Sequence, residues 1–198
     1  MNIRDVLLLV DGETKAAGPY ALGLASRLRA HVTAVAFVLE RPFRRPFSEL
    51  PHNLADAMYE ESLRSAEQAL NPFENVADLP GIETKIITVP AGESAENHFR
   101  WLARHFDLTV AQQPSDDLGS ASMVEAALFG SGRPILLVPY IHTAPAHFDT
   151  VLIAWDESAT AARAVGDSLP LLRIANRVEL VGRRTEVRTE RQTRPAHG

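Results

Sequence analysis

Two aspartates end matching phrases 145 residues apart. Residues 6–13 read VLLLVDGE and residues 151–158 read VLIAWDES, so an apolar run closes on Asp11 in one and Asp156 in the other. A carboxylate at the end of a buried strand can accept hydrogen bonds from a ligand's hydroxyl or amino groups. It can equally cap the helix that follows and favour its dipole. Both roles are open for Asp11. Asp156 has the weaker claim on a ligand, because its copy of the phrase is followed by too little chain to build a pocket.

Other reactive side chains form no constellation. His98 and His105 stand seven residues apart with Trp101 between them. A metal pair on a helix wants four-residue spacing and a carboxylate partner, so a partly buried helix face accounts for them better. Arg41 to Phe47, RPFRRPF, interleaves three arginines with two phenylalanines. Such a loop can receive an anion or a flat ring by charge and stacking, though a proline-stiffened loop with packed phenylalanines explains it more simply. There is no G-x-S-x-G and no serine, histidine and acid pattern. There are no cysteines, which removes disulfides, thiolate metal sites and a cysteine nucleophile.

The elements that must position Asp11 alternate regularly. Asp5 to Val10 is a continuous apolar run, the mark of a strand buried on both faces. Ala17, Tyr20, Ala21, Leu24, Ala25 and Leu28 recur at helical spacing. Strands follow at Val32 to Leu39, Ile82 to Val89, Phe106 to Ala111 and Ile135 to Pro139. Between them the pattern predicts a helix from Leu54 to Leu70 closed by Asn71-Pro72, one striped by Ala95, Phe99, Leu102 and Ala103, and one from Ser122 to Phe129. Alternation of this kind implies an α/β fold with a parallel sheet, right-handed crossovers and helices on both faces. Residues 141–148 read as a linker. A second β-α-β follows, with strands at Thr150 to Trp155 and Arg177 to Val181 around a helix from Ala161 to Arg173.

At 198 residues and 45% hydrophobic, the chain can bury one good core, whereas two full repeats would not fit. A net charge of −5 argues against a nucleic-acid partner. No apolar run approaches the roughly 18 residues that span a bilayer, and no signal-like segment opens the chain. A cytoplasmic location is expected. Residues 183–198, RRTEVRTERQTRPAHG, carry no apolar period and are expected to be disordered.

The chain resembles a universal stress protein of the tandem type. The resemblance rests on VLLLVDGE, on AGESAENHFRWLARHFDLTVA, on GRPILLVP and on the second opening, VLIAWDESATAARAV. It implies a doubly wound, Rossmann-like domain over residues 1–140 with a five-stranded sheet in the order 3-2-1-4-5, and a partial second repeat over 149–182. It also implies ATP or AMP in the crevice beside the first and fourth strands, where the winding direction of such a sheet reverses. The residues expected there are Asp11, Gly12, Val38, Gln112 and Gln113.

Phosphate binding is where the sequence departs from that family. Nucleotide-binding members carry G-x-x-G after the fourth strand, nine further residues, then Gly-Ser or Gly-Thr opening the last helix, so that backbone amides approach the phosphates. Residues 112–117 here are QQPSDD, with no glycine, a proline and two carboxylates. Two negative charges within about 6 Å of a phosphate cost on the order of 1 kcal/mol or more. Gly130-Ser131 stands out of register, because Pro134 follows where a whole helix should intervene. The sequence therefore predicts a non-enzymatic stress-response module with a degenerate nucleotide pocket, acting by protein association or small-ligand sensing. The alternatives are an ATP- or AMP-binding regulator and, third, a weak nucleotide hydrolase. A homodimer or another protein partner is expected through the edge strand 135–139, and the partial repeat is expected to pack on the first domain or on another copy. An early stop, natural or from a frameshift in a longer gene, is one expectation for the unfinished repeat.

Overall fold

The computed structural model describes residues 2–11, 15–40, 52–74, 81–114, 118–142 and 144–182. Gly12, the Arg41–Phe47 loop, residues 115–117 and the tail 183–198 lie outside the described residues. The elements run β1 (Asp5–Leu9), α1 (Ala17–Leu28), β2 (His31–Leu39), α2 (His52–Glu74), β3 (Ile82–Val89), α3 (Ala95–Ala103), β4 (Leu108–Gln112), α4 (Leu118–Gly130) and β5 (Ile135–Val138). Then come β6 (Thr150–Trp155), α5 (Ala159–Leu172) and β7 (Arg177–Gly182). The first five strands form one parallel sheet in the order β3-β2-β1-β4-β5, as expected.

β1 lies at the centre of this sheet. It pairs with β2 from Asp5↔His31 to Leu9↔Val35 and with β4 from Val6↔Leu108 to Leu8↔Val110. Strand alternation sends its side chains to two separate cores. Val6 and Leu8 join Leu24 of α1 and Leu70 of α2, while Leu7 and Leu9 join Phe99 of α3 and Val124 of α4. In the second core Phe37 meets Phe99 edge to face, with ring centroids 5.8 Å apart.

Several boundaries differ from the sequence reading. α2 does not stop at Leu70 but runs to Glu74 with Pro72 inside it. The hydrogen bond that Pro72 forfeits is offset by burying Phe73, whose ring lies against Gly18, where an added Cβ would sit 2.7 Å from Phe73 Cζ. β4 starts at Leu108 rather than Phe106. The Asp107 carboxylate accepts the backbone N–H groups of Arg4 at 2.8 Å and Asp5 at 3.2 Å, which fixes the chain before the ladder begins. α4 begins four residues earlier than Ser122, at Leu118. Consequently Gly119-Ser120 stands in its first turn.

The segment after β5 is packed rather than merely connecting. Ala146 and Phe148 are buried in the first core, and Phe148 meets the Tyr20 ring at 6.3 Å. Burial of Tyr20 raises its phenol pKa above the usual value. β6 and β7 form their own two-stranded parallel sheet. Val151, Leu171 and Ile174 rest against the first core, and Arg163 of α5 donates to the Gly132 carbonyl at 2.7 Å. The partial repeat therefore packs on the first domain. Phe148 anchors that contact, so Phe148→Ala should destabilise the chain by about 3 kcal/mol, the lower end for a buried phenylalanine, read as a lower urea midpoint.

Candidate functional site

A crevice of about 560 Å³ opens past the carboxyl ends of β1 and β2. Its floor is apolar, made by Leu9, Val10, Ala36 and Phe37, with Met123 of α4 on one wall. Polar groups come from three directions: Asp11 after β1, Ser62 and Ser65 of α2, and Glu96 at the start of α3, with Glu61 nearby. The sequence reading puts the ligand crevice beside the first and fourth strands, where the winding reverses; no residue of β4 lines this crevice, which lies on the β2 side of β1 under α2.

Of the residues expected at the site, Asp11 lines the crevice. Val38 does not. It is fully buried in the first core, and its neighbours Phe37 and Leu39 line the opening instead. Gln112 serves α1: its side-chain carbonyl accepts the Ala16 N–H at 2.9 Å, where the helix has no cap from its own N-cap side chain. Gln113 donates its backbone N–H to Val138 at 2.7 Å and is exposed at the end of the ladder.

Glu96 was missed in the sequence. Ser94 caps α3 by accepting the Asn97 N–H at 3.2 Å. The Ser94 hydroxyl also donates to one Glu96 carboxylate oxygen at 2.7 Å, and the Ser122 hydroxyl donates to the other at 2.9 Å. These hydroxyls, Ser94 first, hold the Glu96 pKa below its ordinary value, so the crevice keeps a fixed anion. A serine followed two residues later by a glutamate at a helix start was a local cue. Ser122 is distant in sequence and gave none.

The connection from β4 to α4 is short. Only residues 113–117 connect β4 to α4, against the thirteen or so positions that the G-x-x-G pattern occupies in the family the sequence resembles. The earlier start of α4 than the sequence predicts places Gly119-Ser120 in its first turn.

The second aspartate has a different neighbourhood. Asp156 lies in an open hollow of about 620 Å³ with Trp155, Ser158 and Val181. Its carboxylate accepts the Ser158 N–H at 3.0 Å, and Ser158 in turn accepts the Ala161 N–H at 3.0 Å as the cap of α5. Hydrogen bonds to Ser158 lower the Asp156 pKa. Asp156 thus holds the backbone of Ser158, and Ser158 is the residue that caps α5. No group of histidines, aspartates and glutamates suited to a metal occurs among the described residues.

The Glu96 arrangement has a pH signature. A carboxyl whose folded pKa is depressed stabilises the fold above its unfolded pKa, and that contribution fades as pH falls through the folded value. Ser122→Ala should raise the Glu96 pKa toward the ordinary glutamate value and narrow that acid window, as followed by NMR titration of its side-chain carboxyl.

No protein-family model matches the chain, and no curated protein matches it. Solved structures do. Universal stress protein UspA from Lactobacillus plantarum is 16% identical, with 70% of this chain covering 99% of that one at a TM-score of 0.51. A universal stress protein family member from Burkholderia pseudomallei is 23% identical over 69% of this chain and 96% of its own, at 0.48. A universal stress protein from Archaeoglobus fulgidus, solved in complex with dAMP, is 11% identical over 70% and 99%, at 0.46. Identities this low speak for the fold and not for residue roles. The sheet order, the alternating helices and the UspA superposition agree: the first domain of this chain has the universal stress protein fold.

Proposed function

We propose that this chain is a non-enzymatic, cytoplasmic stress-response module that holds a small ligand in the β1/β2 crevice without the phosphate grip of its nucleotide-binding counterparts. One observation carries the reading: Asp11 and the hydroxyl-clamped Glu96 put two carboxylates on an apolar crevice beside a connection of five residues. Such a site suits a neutral ring with hydroxyl or amino donors and repels a phosphate chain. Self-association through the outer edge of β5, where Leu137 is exposed, fits the same module. No described helix is long and apolar enough to cross a membrane.

A second reading, an ATP- or AMP-binding regulator, draws support from Gly119-Ser120 at the start of α4, where backbone amides favour an anion. Calorimetric titration with adenosine, AMP and ATP separates the two. The proposal expects affinity to fall in the order adenosine, AMP, ATP, with ATP weaker than millimolar. Micromolar ATP binding that Asp11→Ala abolishes would establish the regulator in its place, and phosphate release during incubation would reveal a hydrolase.

A further inference from the structure

β6 is laid out like β1 but lacks its neighbours. With Asp5 matched to Thr150, Leu7 and Leu9 correspond to Leu152 and Ala154, and through the strand pairings Val35 corresponds to Val181. In the first domain Leu7 and Val35 are 0% exposed, covered by α3 and α4. Leu152 and Val181 are 59% and 57% exposed, and every residue of β7 is exposed. Parallel sheets are ordinarily buried on both faces, and two strands alone are marginal in water.

The open edge of β6 can be read residue by residue. Arg177 N–H donates to the Asp149 carbonyl, just as His31 N–H donates to that of Arg4, so alternate residues of β6 face β7. The others, Thr150, Leu152 and Ala154, turn their backbone groups to the opposite side. In β1 that side is taken, since the Asp5 carbonyl accepts the Asp107 N–H at 2.9 Å. On β6 no strand occupies it among the described residues. Edge strands are normally blunted by charge, proline or a bulge. The outer strand β7 has Arg177 and Glu179, ion-paired at 3.1 Å, whereas β6 reads TVLIAW with none of these devices.

We infer that the free edge of β6 pairs antiparallel with β6 of a second copy of this chain, about a two-fold axis at Leu152. This register alone sets all three outward-facing residues against one another: Leu152 opposite Leu152, and Thr150 opposite Ala154. Val151 falls opposite Ile153, and no two like charges meet within the strands. The product is a four-stranded sheet, β7-β6-β6-β7, above the three strands needed for independent stability. The interface is isologous and separate from both the crevice and the β5 edge.

Sedimentation of the full chain carrying Leu137→Lys, which closes the β5 edge to self-association, should give a dimer at tens of micromolar. Adding Leu152→Lys should weaken it by roughly tenfold or more, since like charges directly opposed across a ladder repel. Because the chain has no native thiol, Leu152→Cys should couple rapidly through a short bismaleimide. Leu180→Cys should not, as the two β7 strands would lie three strand spacings apart, about 14 Å. A monomer at that concentration overturns the inference, as does a dimer that Leu152→Lys leaves as strong as before. Equal coupling of the two cysteine variants overturns it too, whether or not Leu152→Lys perturbs folding.

Discussion

Burial of β1 on both faces and along both edges dictates how the other elements are arranged. A strand paired along both edges and packed on both faces must be apolar throughout, and Val6 to Leu9 meet that demand. Its alternating side chains divide the domain into two cores, one built with α1 and α2, the other with α3 and α4. Once β1 is central, the winding on either side of it reverses, and a crevice must open where its carboxyl end meets the departing chain. Asp11 stands at that opening because it is the first polar residue after a run that cannot be polar.

The chemistry of the crevice then follows from what the neighbouring elements bring. α3 contributes a carboxylate rather than a donor, and serines from two helices hold it ionised. The β4 to α4 connection is five residues long, and Gly119-Ser120 stands in the first turn of α4. The crevice combines an apolar floor with a wall of carboxylates and hydroxyls. Gln112 likewise serves a neighbouring element: a residue at the end of β4 completes the first turn of α1.

The second copy shows what β1 would be without its surroundings. β6 repeats the apolar run and the aspartate that follows it, and α5 covers part of one face, but no strand among the described residues takes its outer edge. Its hold on the first domain comes from Phe148, from the end of α5 and from the Arg163 bond to Gly132. These contacts bury the near side of the repeat and leave Leu152, Leu180 and Val181 exposed.

The sequence carried the element types, their order and the parallel character of the sheet, because buried parallel strands and amphipathic helices write their periods locally. It also singled out Asp11, whose signal is the end of an apolar run. Tertiary structure decided what depends on distant partners. Pro72 looked like a helix stop until Phe73 found Gly18. Val38 looked like a crevice residue until the pleat turned it into the first core. Glu96 acquired its role only when α4 delivered Ser122. Phe148, placed in a connecting segment, became core once Tyr20 met its ring. For Pro72, Glu96 and Phe148 the deciding contact joins residues that local patterning cannot relate, and so only the folded chain discloses it.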